Sequence, residues 1–142
     1  MNRKKILIVD DNEVILRTLS LKLKAAGYEI ITAKEGSDAV SAIRLKKPDL
    51  ILLDISFPAD FSSVPWDGFR IIQWLRRTEE AKNVPIMIIT AGDVEKFKDK
   101  ALAEGAVAFF QKPINNDELL STIGKHIGPG QPAAPVSAGA PK

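Results

Sequence analysis

Three unbroken aliphatic tetrads, Ile6-Leu7-Ile8-Val9, Leu50-Ile51-Leu52-Leu53 and Ile86-Met87-Ile88-Ile89, constrain this chain more than any other feature. A strand with one wet face alternates apolar and polar residues. A run that is apolar at every position fits a strand covered on both faces, as in a parallel sheet. Two weaker runs, Glu29-Ile30-Ile31-Thr32-Ala33 and Ala108-Phe109-Phe110-Gln111, complete a set of five predicted strands.

Helical patterns separate the runs, over residues 13–26, 37–46, 68–77, 94–104 and 116–126. The first predicts an apolar stripe of Val14, Ile15, Leu19, Leu23 and Ala26, opened by Asn12 as N-cap and closed by Gly27. The second places Ala39, Val40, Ile43 and Leu45 together and stops before Pro48. The last opens on Asn115-Asn116-Asp117-Glu118, a capping box that also sets acid at the positive helix end. Strand and helix alternate throughout, so the predicted class is α/β with a parallel sheet. Right-handed crossovers give a doubly wound (βα)5 three-layer sandwich. Strand order 2-1-3-4-5 would bring the carboxyl ends of the first and third strands together, where open α/β sheets bind ligands.

Composition narrows the function. The chain has no cysteine, which excludes disulfides, thiol nucleophiles and thiolate metal sites. A formal net charge of +2 gives no bulk reason to expect nucleic acid or an anionic membrane as partner. The basic start and first apolar run are too short for a secretory signal, and no stretch approaches the roughly 18 apolar residues of a membrane span. The expectation is a soluble cytoplasmic protein with one domain over 1–127. Residues 128–142, dominated by proline, glycine and alanine, read as a disordered tail or truncated linker.

The chemistry lies in the residues that end the strands. The first run ends in Asp10-Asp11, the third in Asp54, the fourth in Thr90 and the fifth in Lys112-Pro113. In a parallel sheet all of them share the carboxyl edge. Two carboxylates about 4 Å apart repel by roughly 4 kcal/mol at an effective dielectric near 20, so such a cluster needs a cation or a proton. An all-oxygen donor set favours a hard ion such as Mg²⁺. A carboxylate on Asp54 could then attack phosphorus in line, with Lys112 offering positive charge and Thr90 a hydroxyl donor to the phosphoryl oxygens.

With these motifs the sequence resembles the receiver domain of two-component response regulators, over about residues 4 to 126. The resemblance rests on Ile6 to Asp11, Leu50 to Asp54 with Pro58 after it, Ile88-Ile89-Thr90-Ala91, and Gly105-Ala106 through Lys112-Pro113 with Phe109 at the aromatic switch position. It implies a flavodoxin-like fold. It also implies Asp54 as phosphoacceptor for a sensor histidine kinase or histidine phosphotransfer protein, acting on itself as a switch rather than as an enzyme. Mg²⁺ would be held by Asp10, Asp11, Asp54 and the backbone carbonyl of Ser56. Thr90 and Phe109 would then reshape the face of the fourth helix, fifth strand and fifth helix, where a downstream protein binds and where phosphorylation admits homodimerisation. No direct contact with nucleic acid or membrane is expected. The lone histidine, His126, reads as a helix-terminal surface residue.

Two departures stand out. The Asp-Gly pair that follows the phosphoacceptor is Asp67-Gly68, so the loop 55–66 is about six residues longer than usual, and it carries Phe57, Phe61, Val64 and Trp66. We expect it to cover part of the site, to contact a partner, or to pack on its own domain. Nothing after the last helix reads as an output domain, which favours a stand-alone receiver over the front of a longer regulator. The alternative reading is a degenerate receiver acting as a phosphorylation-independent interaction module. A phosphohydrolase would need a second acid where Ser56 stands, and a nucleotide binder would need a glycine-rich phosphate loop.

Overall fold

The computed structural model describes residues 3–54, 68–79, 81–90, 98–99, 102–128 and 130. The strands are β1 (Lys5–Val9), β2 (Glu29–Ala33), β3 (Leu50–Asp54), β4 (Ile86–Thr90) and β5 (Ala108–Gln111). They form one parallel sheet in the order β2-β1-β3-β4-β5. Helices α1 (Glu13–Ala25), α2 (Gly36–Lys46) and α3 (Gly68–Arg77) and a carboxyl-terminal helix (Asn116–Ile127) cover it. Residues 98–99 and 102–103 are helical, within the helix predicted at 94–104. The loop at 55–66 with Pro58, together with Ser56, lies outside the described residues.

The tetrads behave as doubly covered strands because successive side chains point to opposite faces. Ile6, Ile8, Leu50, Leu52, Met87 and Ile89 pack with Leu16, Leu19 and Leu23 of α1 and Leu119 and Ile123 of the carboxyl-terminal helix. Leu7, Val9, Ile51, Leu53, Ile86 and Ile88 pack with Ala39 and Ile43 of α2 and Ile72 and Leu75 of α3. Each strand is thus wedged between two cores, which fixes its register and the height at which its last residue emerges.

Two predicted core positions are corrected. Val14 is 70% exposed and Leu45 is 79% exposed. The stripe of α1 runs through Leu16, Leu19 and Leu23, with Ile15 and Ala26 only partly buried beside it. Spacing from Leu19 selects Leu16 and Leu23 and turns Val14 outward. Leu45 likewise follows the buried Ile43 by two residues, a step that rotates it away from the sheet.

The helix ends follow the sequence closely. Asn12 caps α1 by accepting from the backbone N–H groups of Val14 (2.9 Å) and Ile15 (3.3 Å). Gly27, at φ +99°, takes the left-handed turn that releases the chain toward β2. Asn115 accepts from the Glu118 N–H at 3.0 Å, which is one arm of the predicted capping box.

Ile88→Ala, at a fully buried position between the cores, is expected to destabilise the protein by about 2–5 kcal/mol in denaturant unfolding. Leu45→Ser and Val14→Ser should change it by no more than about 0.5 kcal/mol.

Candidate functional site

The sheet order places β1 beside β3, with Val9 opposite Leu53, so the next residues, Asp10 and Asp54, emerge side by side. On the other flank Asp54 pairs with Ile89, one residue before Thr90. Thr90 in turn faces Gln111, one residue before Lys112, whose N–H donates to the Thr90 carbonyl at 2.8 Å. Register alone therefore gathers the polar ends of four strands.

Asp10, Asp54 and Thr90 are the buried polar residues among those described, at 0%, 2% and 0% exposure. Asp11 is exposed at the rim. One carboxylate oxygen from each of Asp10, Asp11 and Asp54 lies within 4.8 Å of the others. The Lys112 ammonium reaches into this cluster, 2.7 Å from Asp10 Oδ2 and 3.3 Å from Asp54 Oδ2. It donates a hydrogen bond to Asp54, whereas its approach to Asp10 Oδ2 is an ion pair without hydrogen-bond alignment.

Asp10 Oδ1 accepts from the Asn12 backbone N–H at 2.9 Å, while Oδ2 accepts no hydrogen bond. The first residue of the α1 cap thus also aims Asp10. Asp10 Oδ2, buried and ion-paired to Lys112, lies next to two further carboxylates, and this all-oxygen donor set suits a Mg²⁺-like ion. Burial pushes the Asp10 carboxyl above its ordinary value; the Asp54 charge adds to this, and Lys112 and the Asn12 N–H oppose it. For Lys112, burial alone would lower the ammonium, but Asp10 and Asp54 outweigh it and hold it above its usual value. Each shift reports the same crowding of negative charge in a dry place.

Phe109 is half-buried, level with Ile88 and packed against the core beneath α2 and α3. His126 is exposed in the last turn of the carboxyl-terminal helix. Sequence reasoning treated Asn12 only as a cap; its backbone role at Asp10 has no residue-type signature. It also missed the exposed ion pair between Glu13 and Lys34, which fastens the start of α1 to the β2–α2 turn at the same edge.

The signs of these shifts set a pH dependence. A carboxyl raised in the folded state makes the metal-free protein less stable as pH climbs from Asp10's ordinary value of 3.8 through its raised one. The raised Lys112 contributes stability that is full below 10.5 and is lost above it. Divalent-ion binding should weaken steadily as pH falls from neutral toward that raised Asp10 range, measured by calorimetric titration. Asp10→Asn should raise the metal-free melting temperature and abolish the stabilisation by Mg²⁺, which for a bound ion at a hundredfold its Kd is about 2.7 kcal/mol.

The sequence matches the response regulator receiver domain family over residues 6–124. It is 30% identical over 125 residues to the polar-differentiation response regulator DivK of Brucella ovis, covering 88% of this chain and 97% of that protein. The chemotaxis response regulator CheY4 of Vibrio cholerae superposes with a TM-score of 0.77 at 31% identity, over 89% of this chain and 100% of that one. A CheY-like receiver domain protein of Methanospirillum hungatei also gives 0.77, at 26% identity, over 87% and 93%. With the match running from the first strand into the last helix, this chain belongs to the response regulator receiver domain family, and its flavodoxin-like sheet is that family's fold.

Proposed function

We propose that this receiver accepts a phosphoryl group on Asp54 from the phosphohistidine of a sensor kinase or phosphotransfer protein, in a Mg²⁺-dependent reaction. The observation that carries this reading is the convergence of three carboxylates within 4.8 Å on a lysine that contacts two of them. A purely structural ion pair would need one acid for Lys112, and this site gathers three.

A carboxylate oxygen of Asp54 attacks phosphorus, the P–N bond of the donor breaks, and its electron pair stays on the imidazole nitrogen. The product is an aspartyl phosphate. Asp10, Asp11 and Asp54, with the Ser56 carbonyl outside the described residues, would hold Mg²⁺, which supplies positive charge to the phosphoryl oxygens during transfer. Lys112 turns from Asp10 and Asp54 toward those oxygens, and Thr90 donates its hydroxyl to them. Water later hydrolyses the acyl phosphate and regenerates Asp54, so the protein acts as a timed switch on itself rather than turning over an external substrate.

Movement of Thr90 toward the phosphoryl group frees space beside β4 and β5, where Phe109 is already half-buried. We assign the downstream protein contact, and any phosphorylation-dependent homodimer, to the face of β5 and its flanking helices. The reading includes a cytoplasmic location and no direct nucleic acid or membrane contact; among the described residues no helix is long and apolar enough to cross a membrane.

Intact-mass analysis after incubation with a small phosphodonor tests the proposal. One added phosphoryl group is expected, dependent on Mg²⁺ and absent in Asp54→Asn. No addition in folded protein, from the small donor or from a phosphorylated histidine domain, would instead support a phosphorylation-independent interaction module.

A further inference from the structure

Gly128 and Gly130, just past the carboxyl-terminal helix, both lie against the domain. Gly128 takes φ +86° and its N–H closes the helix on the Gly124 carbonyl at 3.0 Å. Gly130 then lies against the corner between α1 and β2. A Cβ there would come within 2.0 Å of the Ala26 carbonyl oxygen and 3.1 Å of the Gly27 carbonyl carbon. Only glycine fits so close a backbone crossing.

Tyr28 forms the floor of that corner, 2% exposed and part of the core beneath α1. Its hydroxyl donates to the Gly128 carbonyl at 2.8 Å, across 100 positions of sequence. The corner itself is held by the Tyr28 N–H on the Leu23 carbonyl (3.1 Å) and the Gly27 N–H on the Lys24 carbonyl (2.9 Å). A helix-ending glycine accounts for Gly128 alone. It does not account for a second glycine packed on backbone, or for a buried phenol that satisfies its hydroxyl on that same segment.

We propose that Gly128 and Gly130 form an anchoring strap, seated on Tyr28, that fastens the end of the carboxyl-terminal helix to the α1–β2 corner. The chain beyond residue 130 therefore starts from the amino-terminal edge of the sheet, the pole opposite Asp54, and not from the free end of a helix. The domain boundary moves past Gly130, and a segment fused or bound beyond it inherits a fixed point of departure. A helix capped at Asn115 and strapped at Gly128 is held at both ends.

Tyr28 is the one tyrosine of the chain, so tyrosinate absorbance reads the seat directly. Burial in the seat raises the phenol above its ordinary 10.0. In the full chain it should titrate late, and Gly130→Ala should bring it back toward the ordinary value. An ordinary titration in the wild type, or no change in the variant, overturns the strap. Tyr28→Phe keeps the ring and removes the hydrogen bond to the Gly128 carbonyl, which guards against misfolding of the glycine variant. It should speed tryptic cleavage after Lys125 and exchange of the Gly128 amide about fivefold, the factor one ordinary hydrogen bond represents, with β1 and β3 amides unchanged. Equal loosening across the sheet, or none at either place, contradicts it.

Discussion

Negative charge crowded at a dry sheet edge is the condition to which the rest of this structure answers. Asp10 and Asp54 are both nearly inaccessible to water and lie side by side because β1 and β3 are neighbours. At separations of about 4 Å, such charges repel by roughly 4 kcal/mol at an effective dielectric near 20. The fold offsets this with Lys112, delivered by the end of β5 through its N–H on the Thr90 carbonyl. The compensation is incomplete by one charge or more, and Asp10 Oδ2 remains without a hydrogen bond. One cation set among three carboxylates, two of them buried, is a poor arrangement for static stability.

The sheet makes this arrangement rigid. Because every residue of the three tetrads is buried on one face or the other, sliding a strand by one position would exchange its two sets of core contacts. The carboxylates therefore cannot relax apart by moving backbone. Relief must come from protons, from Lys112 or from an added cation, which is the condition under which an aspartate edge becomes responsive to ligand.

Much of this was legible in the sequence, for identifiable reasons. Strands buried on both faces leave unbroken apolar runs, and the polar residue ending each run marks the edge. Asp10, Asp11 and Asp54 converge at that edge, Lys112 reaches two of them, and Thr90 ends the neighbouring strand. Helix faces were read less well. In α1, apolar residues occur at 14, 15, 16, 19, 21 and 23, too many for one stripe, and only packing against the sheet chooses Leu16 over Val14. The Tyr28 seat left no trace, since its partners lie 100 positions away in a segment whose composition reads as linker. The Asn12 N–H on Asp10 is a backbone contact, invisible in residue type.

If Lys112 and a divalent ion answer the same carboxylates, the Mg²⁺ affinity of the Lys112→Met protein should differ from that of the wild type in a definite direction. Removing the resident charge from beside Asp10 and Asp54 should tighten binding about tenfold, or roughly 1.4 kcal/mol. An affinity that is unchanged or weaker would mean that the lysine and the ion do not share these carboxylates.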